Sequence, residues 1–141
     1  MSILGLDLGN RRIGVAIADV PELGARPLAT LVRTSFTHDL DALRTIVAER
    51  QVHRIVLGLP LNMDGSEGPA ARHARDFAVR LNRALALPVD LYDERLTSFE
   101  AESRLKESSA GRKSPKMIVD QVAAALILEG WLAEHGAGLE A

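Results

Sequence analysis

The chain has no cysteine, few aromatic residues and no long apolar run. Its 141 residues include one Trp, one Tyr and three Phe. Without cysteine it can form neither disulfides nor thiolate metal sites. No stretch reaches the roughly 20 apolar residues that a membrane span requires, and the first seven residues lack the basic segment of a secretion signal. We therefore expect a cytoplasmic protein with no membrane partner.

The chain also lacks a strong excess of either charge. The formal net charge is -2, and three lysines among 17 basic residues leave 14 arginines. Overall charge thus neither requires nor excludes a polyanionic partner, although the planar guanidinium group pairs well with phosphate. The length and the 47% hydrophobic content predict one globular domain over residues 1–141.

Hydrophobic patterning predicts a mixed α/β fold. Two apolar runs on either side of a Gly-Asn-Arg-Arg turn are typical of a β-hairpin. Leu40, Leu43, Ile46 and Val47 have helical spacing, with Thr37 as a candidate cap. The predicted strands are residues 3–8, 13–18, 29–33, 54–58 and 88–92, and the later helices are residues 69–86, 99–106 and 115–135, with a polar connection at 108–114. We expect a five-stranded mixed sheet flanked by helices, with its ligands near strand ends.

Two acidic residues fall at the ends of predicted strands. Asp7 interrupts an otherwise apolar strand, where a carboxylate is unfavourable unless it is paired or bound to a metal. It could instead accept hydrogen bonds from the following turn. Glu94 follows the fifth strand, where an exposed pair of Asp93 or Glu94 with Arg95 is the simpler interpretation.

A third acid, Asp120, precedes six uninterrupted apolar residues of the last helix. Ala123 and Ala124 lie one turn further, so the helix can approach the sheet closely on that side. An ion pair with Lys116 is the alternative role for Asp120. Together, Asp7, Glu94 and Asp120 predict a site for Mg²⁺ or Mn²⁺, which bind carboxylate oxygens and substrate phosphates. Such a site can hydrolyse phosphodiester bonds without a nucleophilic side chain.

Four sequence blocks in order resemble the YqgF/RuvX family of Holliday junction resolvases, also described as pre-16S rRNA processing nucleases. The blocks are DLGNRRIGVA at 7–16, GLPLNMDGS at 58–66, DERLTS at 93–98 and DQVAA at 120–124. The resemblance spans nearly the whole chain. It implies an RNase H-like fold, a divalent-metal site formed by Asp7, Glu94 and Asp120, and cleavage of RNA or branched DNA.

Basic and turn residues near these acids are candidates for contacts with the nucleic-acid backbone. Turn N–H groups and arginine side chains commonly hold phosphates. The candidates are Arg11, Arg12, Asn62, Asp64, Gly65, Ser66, Arg95, Arg112, Lys113 and Lys116. A further set on one face of the helix at 69–86 is either a solvated surface or a second group of phosphate contacts: Arg72, Arg75, Arg80 and Arg83.

Two other functional classes stay open at this point. An Asp-x-Gly hairpin also occurs in actin-like ATPases and sugar kinases, but those enzymes enclose their nucleotide between two related domains. A nucleic-acid-binding factor that uses the fold without catalysis is the second class, because fold does not settle function. No apolar stripe exceeds what the core needs, so we expect a monomer or a weak homodimer.

Overall fold

The computed structural model describes residues 2–97 and 115–135, with side chains of the last segment described from Ile118 onward. Five strands form one sheet in the order β3-β2-β1-β4-β5. The strands are β1 (Ser2–Leu8), β2 (Arg12–Ala18), β3 (Arg26–Val32), β4 (Val52–Leu59) and β5 (Val89–Asp93). The helices are α1 (Phe36–Arg50), α2 (Pro69–Leu85) and α3 (Pro115–His135), and short 3₁₀ turns occupy Pro21–Leu23 and Glu94–Leu96. None of the described helices is long and apolar enough to cross a membrane.

The pairing of the strands makes the sheet mixed, as expected. β1, β2 and β3 are antiparallel neighbours, and Asp7 lies opposite Gly14 in the first pair. β1, β4 and β5 are parallel neighbours. Because parallel strands end at the same edge of a sheet, this order brings Asp7, the end of β4 and Glu94 together.

Helices cover both faces of the sheet. Apolar side chains alternate along each inner strand, so that Ile3 and Val56 face α3, whereas Leu4 and Leu57 face α1 and α2. Such period-two alternation is expected of a strand that is covered on both sides. Since Gly5 contacts α3, Asp7 two residues later lies on the same face.

Glycines allow α3 to lie unusually close to the sheet. A Cβ atom on Gly5 would come within 2.8 Å of the Leu128 Cβ and 2.9 Å of the Ala124 carbonyl oxygen. A Cβ on Gly14 would overlap the backbone carbonyl of Asp120. The small residues of β1 and β2 therefore set how near the start of α3 comes to Asp7.

The sequence predictions need two corrections here. α1 is capped by Ser35, whose hydroxyl accepts the His38 N–H at 3.1 Å, and Thr37 lies inside the first turn. β3 begins at Arg26, earlier than predicted, because Pro27 sits where the β2–β3 register shifts and does not interrupt the pairing. The predicted helix at 99–106 and the connection at 108–114 lie outside the described residues.

Candidate active site

Asp7 and Glu94 form a pair of carboxyl groups at the edge where β1, β4 and β5 end. Asp7 is the penultimate residue of β1, and Glu94 opens the 3₁₀ turn directly after β5. The two carboxyl groups lie within hydrogen-bonding reach of each other and line the same cleft. A hydrogen bond between two carboxyl groups requires that one of them carry the proton. Among the described residues no hydrogen bond from the following turn to the Asp7 carboxylate is present, and the turn closes on itself through the Gly9 N–H and the Arg12 carbonyl at 2.9 Å.

The environment of the pair disfavours two negative charges. Burial, followed by the charge of Asp7, raises the pKa of Glu94 from 4.5 to about 7. Burial also raises the pKa of Asp7, and the charge of Asp120 raises it further. Like charges at close range cannot both ionise easily in a desolvated site. The pair therefore stores an electrostatic penalty that a cation would relieve.

A small cleft of about 180 Å³ opens onto the pair. Its lining comes from both acids, the turn that follows Glu94 and one side of α3: Asp7, Glu94, Thr97, Ala123, Leu126 and Ile127. Gly58 in β4 makes room for the Glu94 carboxylate, since a Cβ there would collide with its Oε1 atom. The cleft is thus apolar on one wall and acidic on the other.

Asp120 lies on the α3 side of the site, but an arginine holds its carboxylate. Arg12 Nε donates to Asp120 Oδ2 at 2.6 Å, and both side chains are partly exposed. The charge of Asp120 still acts on Asp7, as the raised pKa shows. The structure therefore brings Asp7 and Glu94 into contact. It places Asp120 near Asp7, but the carboxylate of Asp120 forms its ion pair with Arg12 of β2. The alternative partner, Lys116, has a side chain outside the described part of the chain.

The donor set fits a hard divalent cation. Within residues 2–97 and 118–135, no cluster of three or more His, Asp or Glu side chains is close enough to hold a metal ion. Mg²⁺ is nevertheless usually held by one or two carboxylates, with waters and substrate phosphates as its other ligands. Asp7 and Glu94 supply two such groups, and among the described residues no basic side chain forms an ion pair with either of them.

The predicted turn at Asn62 to Ser66 lies beside this edge and is held mainly by its own hydrogen bonds. Asp64 Oδ1 accepts from the Ser66 N–H at 2.9 Å and from its hydroxyl at 2.5 Å, while the Asn62 amide donates to the same hydroxyl at 3.0 Å. Gly65 has a positive φ of 88°, which favours glycine. The side chains of Asn62, Asp64 and Ser66 are therefore committed to shaping the turn.

Arg95 fastens that turn to the end of β5. Its guanidinium donates to both oxygens of Asp93, the shortest contact being 2.8 Å, and to the Met63 carbonyl at 3.1 Å. The Arg95 hydrogen bond lowers the pKa of Asp93. The ion pair of Arg95 with an acid of this turn, which the sequence suggests, is thus present. Its acid is Asp93, so Glu94 remains to face Asp7.

The remaining basic candidates divide into three groups. Arg11 is exposed at the hairpin tip and forms no ion pair with any of the described residues. On α2, Arg75 pairs with Glu67 at 2.7 Å and Arg72 donates to the Glu67 carbonyl at 3.2 Å. Arg112 and Lys113, together with the Lys116 side chain, lie outside the described residues.

Sequence reasoning missed several residues that shape the site. Gly58, Thr97, Leu126 and Ile127 line or permit the cleft, yet none carries a charge that would attract notice. Gly58 had a usable signal, because a glycine within the apolar strand Ile-Val-Leu-Gly-Leu often marks a close approach. The apolar residues of α3 had none, since core and cleft positions look alike in sequence.

The chain is similar to known proteins over nearly its whole length. The family model described as "RuvX: Holliday junction resolvase" matches residues 1–134. A relative from Anaeromyxobacter sp. (strain K) named "Putative pre-16S rRNA nuclease" is 52% identical over 132 residues, which cover 94% of this chain and 96% of the relative. A relative of the same name from Myxococcus xanthus (strain DK1622) is 48% identical over 96% of this chain and 89% of its own length.

Solved structures show the same fold at low sequence identity. RuvC from T. thermophilus in complex with a Holliday junction substrate superposes with a TM-score of 0.64 at 18% identity, covering 96% of each chain. The yeast mitochondrial Holliday junction resolvase superposes with a TM-score of 0.54 at 12% identity, covering 92% of this chain and 77% of its own. The sheet is thus that of the RNase H-like resolvases, and the chain belongs to the RuvX family.

Proposed function

We propose that this chain is a divalent-metal-dependent nuclease that hydrolyses phosphodiester bonds and acts in 5′-end processing of pre-16S rRNA. The carboxyl pair of Asp7 and Glu94 carries the proposal. Half-buried acids at the end of parallel strands, with no ion pair to a basic side chain in the part of the chain that the structure describes, suit the chemistry of phosphate-bound cations. The names of the relatives in Anaeromyxobacter and Myxococcus supply the RNA substrate.

The chain's own groups have separable roles in this proposal. Asp7 and Glu94 bind the cation, and the proton they share must leave before both can do so. Asp120 adds negative charge beside Asp7 and becomes a further ligand if Arg12 releases it. When bound, Mg²⁺ or Mn²⁺ would lower the pKa of water and stabilise the developing phosphate charge. The apolar wall of α3 limits the water around the reacting phosphate.

Backbone contacts would come from residues around the same edge. Arg11 is exposed at the tip of the hairpin that follows Asp7, whereas Arg12 and Arg95 are engaged by Asp120 and Asp93. The turn at 62–66 would offer only the backbone N–H groups that its own hydrogen bonds leave over, since those of Asn62, Gly65 and Ser66 already donate inside the turn. Arg112, Lys113 and Lys116 remain candidates from the sequence. Such contacts read the backbone and the shape of RNA more than its bases.

A branched DNA substrate is the second candidate, because the matching family model describes a Holliday junction resolvase. Symmetric cutting of a junction requires two active sites and hence a dimer, while trimming RNA requires one. A monomer or weak homodimer and a cytoplasmic location stay predictions from the sequence.

Parallel cleavage assays test the proposal. Labelled rRNA precursor and a synthetic four-way junction are each incubated with Mg²⁺, Mn²⁺ or EDTA, using the wild-type chain, Asp7→Asn and Asp120→Asn. We expect cation-dependent cleavage of the precursor, abolished by Asp7→Asn while RNA affinity is retained. Preferred cleavage of the junction would instead support the resolvase. Absence of cleavage of either substrate by the wild type would indicate a binding factor without catalysis.

A further inference from the structure

A second cleft, of about 330 Å³, lies between the start of α1 and the outer face of α2. Its walls combine arginines with aromatic rings: Arg33, Phe36, His73, Phe77, Arg80 and Arg83. This volume lies at the lower end of the range for small-ligand pockets. Nothing in the carboxylate site described above uses these residues.

The cleft has a rigid aromatic floor with a cation stacked on it. Phe36 and Phe77 meet edge to face with ring centroids 5.7 Å apart. The Arg80 guanidinium carbon lies 3.6 Å from the Phe36 ring centroid, so the guanidinium covers that ring. Arg33 lies 5.8 Å from the Phe77 ring centroid. Such arginine-on-aromatic layers offer a flat cationic surface to a nucleobase or phosphate.

The positive charge in the cleft is only partly neutralised. Arg33 contacts the buried carboxylate of Asp39 at 3.4 Å. Among the described residues, no carboxylate lies within 4 Å of Arg80 or Arg83, although Asp76 also lines the cleft. Arg72 and Arg75 on the same helix are instead tied to Glu67. The arginine-rich face of α2 thus has two parts: Arg72 and Arg75 are bound to Glu67, whereas Arg80 and Arg83 form no ion pair with the described residues.

The cleft lies at the same end of the sheet as the carboxyl pair. Arg33 follows β3, its N–H donates to the Arg11 carbonyl at 2.8 Å, and its guanidinium donates to the Gly9 carbonyl at 2.7 Å. Gly9 is two residues from Asp7. The β1–β2 turn therefore separates the acidic cleft on the α3 face from the basic cleft on the α1–α2 face, with exposed Arg11 at its tip.

We infer that the basic cleft seats a nucleotide of a single-stranded segment that continues from the bond cleaved at Asp7 and Glu94. Arg80 and Arg83 contact its phosphates, and its base stacks on the Arg80–Phe36 layer. Between the two clefts, the single-stranded segment passes over the β1–β2 hairpin tip at Arg11. This inference rests on the proposed nuclease function for the identity of the polymer, but the binding itself needs no cleavage.

Fluorescence anisotropy in EDTA tests the inference with a labelled single-stranded RNA of about 12 nucleotides and one of about 3 nucleotides. The double variant Arg80→Gln/Arg83→Gln is compared with Arg72→Gln/Arg75→Gln, which removes the same charge from the same helix. We expect the first to weaken binding of the longer RNA about tenfold and to reduce the magnitude of the salt slope by about 1.4. Arg72→Gln/Arg75→Gln should change affinity by less than about twofold. The short RNA is long enough to occupy the basic cleft, so it should rank the variants in the same order.

Phe36→Leu probes the stacking without changing charge. It should weaken binding of the longer RNA about fivefold and leave the salt slope unchanged. Thermal unfolding of each variant checks that the fold is intact, and the single variant Arg83→Gln, at an exposed position, keeps the test available if the double variant does not fold.

Equal losses in the two double variants, or unchanged binding by Arg80→Gln/Arg83→Gln, would overturn the inference. An unchanged affinity in Phe36→Leu would overturn the stacked base. The outcome is separable from that of the proposed function. A wild-type chain that cleaves nothing, yet loses RNA affinity through Arg80 and Arg83, would refute the nuclease and support the cleft. Normal cleavage by the wild type, together with equal RNA affinities of the two double variants, would support the nuclease and refute the binding role of the cleft.

Discussion

Replacing Glu94 by glutamine should make the metal-free protein more stable at neutral pH while it removes the proposed activity. Glutamine keeps the shape of the side chain and can still donate a hydrogen bond to Asp7. It also removes a negative charge that burial and Asp7 both disfavour. The site would then resemble others in which function requires a locally unfavourable arrangement.

The magnitude follows from the pKa of Glu94, which is raised from 4.5 to about 7. At about 1.4 kcal/mol per pKa unit, this shift corresponds to a destabilisation of about 3 kcal/mol once Glu94 is fully ionised, above pH 7. Glu94 is only partly buried, so solvent screening reduces the expected gain in Glu94→Gln to about 1 to 2 kcal/mol.

The sign of the pH dependence is specific. Between pH 4.5 and about 7 the folded chain holds more protons at Glu94 than the unfolded chain does. The contribution of this residue to the free energy of unfolding therefore falls as pH rises through that window. Glutamine does not titrate, so the difference between variant and wild type should be near zero at pH 4.5 and reach its full value above pH 7.

Urea denaturation in EDTA at several pH values between 4.5 and 8 measures this difference. Glu67→Gln is the matched control, because the Arg75 hydrogen bond lowers the pKa of this exposed acid and the substitution should bring no gain in stability. Added Mg²⁺ or Mn²⁺ should stabilise the wild type and not Glu94→Gln, since a ligand stabilises only the state that binds it. Parallel stability curves for the wild type and Glu94→Gln across the pH range would refute the reasoning.

Three further substitutions test the packing and capping contacts, each by denaturant unfolding beside its control. Gly14→Ala should destabilise the fold by about 2 to 3 kcal/mol, since its Cβ would overlap the Asp120 carbonyl. Gly68→Ala meets only the Asn62 side chain at 3.5 Å and should cost no more than about 1 kcal/mol, the loss of a glycine at the N-cap of α2; equal effects would show that α3 can shift away. Ser35→Ala should lose about 1 kcal/mol and Thr37→Ala less than about 0.5 kcal/mol, and the reverse order would restore Thr37 as the cap. Asp90→Ala should lower the free energy of unfolding by about 1 to 3 kcal/mol, because Arg54 and the Trp131 indole donate to Asp90 at 3.0 and 3.1 Å. Its control, Asp41→Ala, breaks only an exposed 3.8 Å pair with Arg44. Indistinguishable losses would mean that the Asp90 hydrogen bonds contribute no more than a surface pair.

Much of the fold could be predicted from sequence because its signals are local. The hairpin, the helix after Pro69 and the apolar helix after Pro115 each carry their own periodicity and turn residues. The N-cap of α1 could not be identified from the sequence in the same way. Ser35 and Thr37 are both good capping residues, and only the backbone conformation decides between them. The sequence predicts too short a strand β3, because a proline such as Pro27 cannot donate a hydrogen bond within a regular strand. The register shift between β2 and β3 at this point accommodates it, and the sequence does not reveal that shift.

Partners of charged residues were the less predictable part of the site. Asp7 and Glu94 are distant in sequence and meet because parallel strands end at one edge. Arg12 is a candidate for a substrate contact from the sequence, and its pairing with Asp120 could not be predicted there. The four arginines of α2 look alike in sequence, yet Glu67 engages two of them while Phe36 underlies a third. Residue types thus indicated the chemistry, while long-range packing decided which charges remain available.

The distance between α3 and the sheet links these observations. Gly5 and Gly14 let the backbone of Ala124 and Asp120 approach β1 and β2 more closely than any side chain would permit. That approach puts the charge of Asp120 within reach of Asp7, whose pKa it raises, and lets Arg12 bridge from β2 to the same carboxylate. Because a larger residue at position 14 would displace the whole start of the helix, it would change the electrostatics of the carboxyl pair without touching either acid. The site is therefore controlled by backbone packing beneath it as much as by the residues that line it.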